Sequence, residues 1–302
     1  MRFVPEALPA EQVDEARRFY AARTPGRGPG SPAELAEVRA RRPAPAPADP
    51  PAVEELVDGR VPVRITVPAD GPPCGVLLDV HGGGFYLGSA AQDDVCSRAL
   101  ADTFRIAVVG VDHRLAPEHP WPAAPDDCET VARWLVEHSE ARFGCSRLAI
   151  GGRSAGATLA VATLLRLRDA GAVDRFVGAA LQFGTYDLSG RTPAGRRIGD
   201  EYFLRAYAGH VPDRTVPDVS PVFGDLRGLP PALLVVGSED VLLEDNLAMA
   251  ARLHTAGNGG ELRIYPGAPH GFTGHPTELA RTALRGVGSW LVDALGQRRV
   301  RR

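Results

Sequence analysis

The chain has 302 residues and a formal net charge of -3, with 44% hydrophobic and 24% charged residues. That balance is ordinary for a globular protein and argues against disorder, and the small net charge gives no reason to expect nucleic acid or an anionic membrane as partner. All 34 basic residues are arginine, which with abundant Ala, Gly and Pro reads as coding bias and excludes nothing functional.

The first fifty residues differ from the rest. Val13, Ala16 and Tyr20 fall at helical spacing, and Ser31-Pro32-Ala33-Glu34 forms a capping box with proline at the first helical position, so two short helices are expected. Pro43 to Pro51 holds five prolines in nine residues and should run extended. Residues 1–50 therefore read as a helical cap segment tied to a main body spanning 51–302.

From Val61 the pattern alternates strand and helix. Val61 to Val67 reads as an edge strand, and Val76 to Val80, Ile106 to Val109, Leu148 to Ile150, Phe176 to Phe183, Ala232 to Val236 and Leu262 to Tyr265 read as buried strands. Ala155 to Ala170 and Glu244 to Ala256 read as helices ending at Gly171 and Gly257, and Leu284, Val287, Leu291 and Ala294 mark a last one. Repeated units of this kind imply an α/β fold with a mostly parallel central sheet, helices on both faces, and ligands at the carboxyl ends of its strands. Residues 186–230 interrupt the alternation with aromatics between Gly and Pro breaks, as a cap insertion would.

Gly152-Arg153-Ser154-Ala155-Gly156 has the G-x-S-x-G form between a strand and a helix, which pushes a serine hydroxyl clear of the backbone. A serine nucleophile needs a base, an acid to orient it, and N–H donors for the developing oxyanion. His81-Gly82-Gly83-Gly84 follows a strand and offers bare backbone N–H groups, with the Ala155 N–H beside them. Asp240 lies just past the strand ending at Val236 and is the expected acid, with Glu239 its serious rival and Glu244 and Asp245 weaker ones. His270, in the loop after Tyr265, is the expected base, with His275 as rival.

His81-Gly-Gly-Gly-Phe85, Asp112-His-Arg-Leu-Ala-Pro-Glu-His-Pro-Trp-Pro-Ala123, Gly152-Arg-Ser-Ala-Gly156, Asp240 and His270-Gly-Phe272 together resemble the hormone-sensitive lipase family of α/β hydrolases over roughly residues 60 to 295. The resemblance implies an α/β-hydrolase sheet with a helical cap and cofactor-free, metal-free esterase activity. By the same resemblance Ser154 is nucleophile, His270 base and Asp240 its orienter, with Gly82, Gly83 and Ala155 as oxyanion donors. Arg114 and Glu118 are expected to brace the loop beneath the glycines. One departure stands beside the nucleophile: the family usually has aspartate where this chain has Arg153. Two readings stay open, a polar network with an acid, or a preference for acid-bearing esters.

The expected function is hydrolysis of small, short-acyl carboxylic esters through an acyl-enzyme. Acyl transfer, lactone or amide hydrolysis and dehydration on the same machinery are alternatives, as is a non-catalytic binding protein on this scaffold. Cys74, Cys96, Cys128 and Cys145 lack C-x-x-C spacing and are expected to be free thiols. No apolar run approaches the roughly 18 residues that span a bilayer, and the acidic start, Glu6 to Glu15, lacks a signal-peptide core, so a cytoplasmic location is expected. A homodimer through an exposed last strand or helix is a further expectation.

Overall fold

The computed structural model describes residues 1–5, 8–23 and 28–296. In chain order it contains β1 (Arg2–Pro5), α1 (Ala10–Ala21), α2 (Pro32–Arg41), β2 (Val53–Val57), β3 (Val61–Thr66), β4 (Gly75–Val80), α3 (Asp94–Phe104) and β5 (Ile106–Val111). Then follow α4 (Ala123–Phe143), β6 (Leu148–Arg153), α5 (Ala155–Asp169), β7 (Phe176–Gln182), α6 (Pro193–Arg197), α7 (Tyr202–Ala208), β8 (Ala232–Gly237), α8 (Leu243–Thr255), β9 (Gly260–Tyr265) and α9 (Glu278–Gly296). The strands form one sheet in the order β1-β9-β8-β7-β6-β4-β5-β3-β2, parallel except where β3 meets β5 and β2.

The buried runs explain the layering. β4 through β8 are apolar on both faces because α3 and α9 cover one side while α4 and α5 cover the other. Val80 pairs with Gly152, Arg153 with Gln182, and Gln182 with Val235, so the carboxyl ends of β4, β6, β7 and β8 lie along one edge. The glycine loop, Ser154, the 186–230 insertion and Asp240 all leave the sheet there.

The amino-terminal segment does more than the helical spacing announces. Ser31 caps α2 by accepting from the Glu34 N–H at 3.2 Å, whereas the Glu34 carboxylate reaches Gly30 N at 2.8 Å. Ahead of α1, β1 runs parallel to β9. The expected exposed last strand is therefore not the sheet edge, and edge pairing through β9 is closed to a second copy. Among the described residues 186–230 holds α6, α7 and a short helical turn at Pro221–Phe223, and no strand. It is pinned by Tyr207 stacked on Phe85 at 3.9 Å, and by Arg166 of α5, which bonds Asp218 as well as Asp126 of α4. Among the described residues no helix is long and apolar enough to cross a membrane. The four cysteines are unbridged.

Candidate active site

Ser154 sits between β6 and α5 with φ 52° and ψ -120°, a left-handed conformation that side chains rarely adopt and that costs on the order of 1–3 kcal/mol. The neighbourhood imposes it. Ser154 N donates to Gln182 O at 2.9 Å, and its carbonyl accepts from Ala157 N at 3.0 Å. A Cβ at Gly156 would lie 2.0 Å from Val80 O, and one at Gly152 would lie 2.4 Å from Gly156 O, so the turn closes only with glycine at both places.

The three groups singled out for chemistry meet, although they leave different strands. His270 Nδ1 lies 3.0 Å from each Asp240 oxygen, and its Nε2 lies 3.0 Å from Ser154 Oγ. With Asp240 ionised, Nδ1–H donates to the carboxylate, leaving Nε2 as the acceptor for the serine O–H. The Asp240 side chain is fully buried and is also held by Leu242 N–H at 2.8 Å. Phe183, at the end of β7, meets the His270 ring edge-on with centroids 5.1 Å apart. The arrangement can move a proton from Ser154 to His270 and stabilise the imidazolium that results.

The rival groups are engaged elsewhere. Glu239 is exposed, Glu244 pairs with Arg197 at 3.7 Å, and Asp245 accepts from Thr192 at 2.6 Å. His275 packs against Phe19 and Tyr20 of α1.

The glycine loop lies over the elbow. Gly83 has φ 125° and a Cβ there would come 2.1 Å from Leu87 O; at Gly82 it would come 2.6 Å from Arg153 O. Among the described residues no acceptor takes the N–H of Gly82, Gly83 or Ala155, and Ala155 opens α5, whose dipole places positive potential at the same spot. His81 holds the loop by donating from Nδ1 to Gly82 O at 2.9 Å, and its ring stacks on His113 with centroids 4.1 Å apart. Burial pushes His81 down to about 4 and His113 to about 3, so both rings are neutral at physiological pH. The loop's outer brace is Arg39 of α2, which donates to Tyr86 O and Ala116 O and pairs with Glu118 at 2.7 Å. Arg114 instead grips Asp127 of α4 at 2.9 Å, so the expected Arg114 and Glu118 bracing is divided between two partners. Arg39 carries no local sequence signal because its partners lie 47 to 79 residues away.

Arg153 borders the same cavity as Ser154, and its guanidinium is taken up by carboxylates. Its guanidinium forms an ion pair with Asp93, and Asp79 Oδ2 lies 3.9 Å away. Burial works against the Arg153 charge, and the two carboxylates more than offset it. Burial likewise raises the Asp79 carboxyl to about 6, against the pull of Arg153. Of the two readings of Arg153, these contacts support the polar network. Asp93 and Asp79 carry no sequence signal for this pairing, since only the fold brings them together with Arg153.

The site opens into a cavity of about 570 Å³. Gly82, Gly83, Ser154 and His270 face it beside Phe183, Ile198, Phe203 and Leu242, and Arg42, Asp93, Arg153 and Glu201 also line it. Among the described residues no group of three or more His, Cys, Asp or Glu is placed to hold a metal.

Residues 77–274 match a family described as having the alpha/beta hydrolase fold. The chain is 35% identical over 230 residues to an ethyl acetate hydrolase of Pseudomonas putida, covering 70% of this chain and 71% of that one. It is 34% identical over 239 residues to an acetyl-hydrolase of Streptomyces hygroscopicus, covering 73% and 76%. A crystal structure of a hormone-sensitive lipase from a metagenome library superposes with a TM-score of 0.77 at 28% identity, covering 97% of this chain and 100% of that one.

Proposed function

This chain belongs to the α/β-hydrolase family, in its hormone-sensitive-lipase-like group, and on that premise we propose how it works: as a serine carboxylesterase acting on small esters through an acyl-enzyme. It is a carboxylic ester hydrolase, as its relatives named for ethyl acetate and acetyl hydrolysis indicate. In our assignment His270 takes the Ser154 proton as Oγ attacks the ester carbonyl carbon. The carbonyl oxygen takes up negative charge against the N–H groups of Gly82, Gly83 and Ala155. His270 then hands its proton to the departing alcohol. Water, deprotonated by His270, attacks the acyl carbon and releases the acid, and the proton returns to Ser154.

The single observation that carries these roles is the unbroken run of contacts from Asp240 through His270 to Ser154, each at 3.0 Å. Residues 1–50 and 186–230 serve, in the same proposal, as a cap over the site, since Gly28, Arg42, Ile198 and Phe203 contribute to its walls. Replacing Ser154 with Ala tests the assignment: hydrolysis of an aryl acetate falls to background while circular dichroism stays unchanged. Wild-type turnover in that variant would refute it. A cytoplasmic setting and a homodimer remain parts of the proposal, read by fractionation and by sedimentation.

A further inference from the structure

Two charged side chains that the reaction does not use, Arg42 and Glu201, line the ester cavity. Glu201 stands immediately ahead of α7 with an extended backbone, and its side chain caps no helix N–H. It is partly buried, and among the described residues neither a hydrogen bond nor an ion pair takes its carboxylate. The guanidiniums nearest in sequence are engaged elsewhere: Arg197 pairs with Glu244, and Arg205 lies over the Tyr202 ring and donates to Asp200 O. A carboxylate partly withdrawn from water and left without a partner is costly, and its pull on an opposite charge is stronger than in bulk water.

Aromatic rings share that cavity. Tyr86 and Phe203 both line it, with ring centroids 6.1 Å apart, and both flank Gly84 of the glycine loop, where a Cβ would meet Tyr86 Cε1 at 3.2 Å and Phe203 Cβ at 3.4 Å. The Glu201 charge is felt there: burial first and that carboxylate second push the Tyr86 hydroxyl up to about 12. Aromatic faces and a carboxylate attract the same kind of ligand, a cation. Arg42 does not fill this role. It is exposed, makes no ion pair with Glu201, and shares with Gln92 a wall of an adjoining cavity of about 450 Å³ that Glu201, Tyr86 and Phe203 do not border. Arg153, the other guanidinium on the ester cavity, is held by Asp93.

We propose that Glu201, with the rings of Tyr86 and Phe203, selects esters that carry an organic ammonium group in their alcohol or acyl part. This role rests on the ester reading of the cavity and names the class of ester it takes. Glu201 holds the charged end of the substrate while Ser154 and His270 act on the carbonyl. The rings adjoin the glycine loop at Gly84, and the cavity of about 570 Å³ is of a size that holds such a small molecule whole.

Hydrolysis of acetylcholine, against the ester in which carbon replaces its quaternary nitrogen, tests the alcohol side. Ethyl trimethylammonioacetate against its own carbon analogue tests the acyl side. Each pair has one shape and differs by one permanent charge, so comparing the charged-to-neutral ratio of kcat/KM between wild type and variant removes intrinsic reactivity. In at least one pair that ratio is expected to fall by about three- to thirty-fold in Glu201→Gln, carried mainly by KM, and to fall further in Glu201→Lys. A ratio within about two-fold of wild type in both pairs would overturn the proposal and leave Glu201 merely hydrated. So would faster use of acetoxyacetate than of acetylcholine, lost in Arg42→Gln, which would give recognition to Arg42. Calorimetric titration of Ser154→Ala with choline separates this role from the ester reading. Saturable binding lost on adding Glu201→Gln, in a chain whose wild type hydrolyses none of these esters, would refute the ester reading and keep the ammonium site. No hydrolysis and no choline binding would overturn both.

Discussion

Arg153 and Asp93 form an ion pair directly behind the elbow, joining the residue before the proposed nucleophile to the turn that follows the glycine loop. The pair and Ser154 line the same cavity. Its partner Asp79 makes two carboxylates around one guanidinium.

Removing Arg153 therefore acts through stability before it acts through selectivity. Arg153→Met strands two largely buried carboxylates, and breaking such a pair costs about 3–5 kcal/mol. Urea denaturation should show a loss of that order, partly restored by adding Asp93→Asn. The ratio of rates on neutral and carboxylate-bearing esters should not move. A shift in that ratio with unchanged stability would restore the acidic-ester reading of Arg153.

Asp240 and its sequence neighbour Glu239 are separable by substitution. Asp240→Asn keeps the shape but no longer selects the Nδ1–H tautomer of His270, and in serine hydrolases a change of that kind lowers kcat by about 10⁴. Glu239→Gln alters an exposed side chain and should leave kcat within two-fold, roughly the effect of an ordinary surface change. Steady-state rates on one aryl ester decide between them. The opposite ranking would move the acid to Glu239.

Gly83→Ala tests the oxyanion donors. The added methyl would meet Leu87 O at 2.1 Å in a backbone with φ 125°, so the loop must shift and carry its N–H groups with it. Losing one such donor typically lowers kcat by about 10² to 10³. An unchanged kcat would show that this loop does not hold the transition state.

The stacked pair His81 and His113 predicts how stability depends on pH. Both are held below the ordinary histidine value by burial, to about 4 and about 3. A base depressed in the folded state contributes stability that is present above its unfolded pKa, about 6.5, and is lost as pH falls through the folded values. Thermal melts should therefore fall progressively from pH 6.5 toward 3. His113→Phe keeps a ring on His81 and removes one titrating group, so its slope over that window should be shallower. Equal slopes would show that His113 does not titrate in this window.

Much of this was legible in the sequence because it is local. Strands flanked by glycine turns fixed where Ser154, Asp240 and His270 leave the sheet, and the chemistry of a nucleophile named the partners to seek. What stayed hidden depends on partners distant in sequence. Arg39 grips Tyr86 and Ala116, and Asp93 meets Arg153 across the sheet edge; neither pairing has a period or a spacing. β1 and β2 are short edge strands whose pairing depends on neighbours already in place. α4 was available in principle, since buried Cys128, Val131, Ala132 and Leu135 keep helical spacing. Its proline-rich approach, with Pro120, Pro122 and Pro125, masks that period.

In the proposed mechanism Ser154 carries the acyl group. Mass spectrometry of the intact protein quenched during turnover of an aryl acetate, followed by peptide mapping, measures this directly. One added acetyl is expected on the peptide containing Ser154, absent from Ser154→Ala and removed on standing in water. Acetyl on another residue, or steady hydrolysis by Ser154→Ala with no label at all, would contradict it.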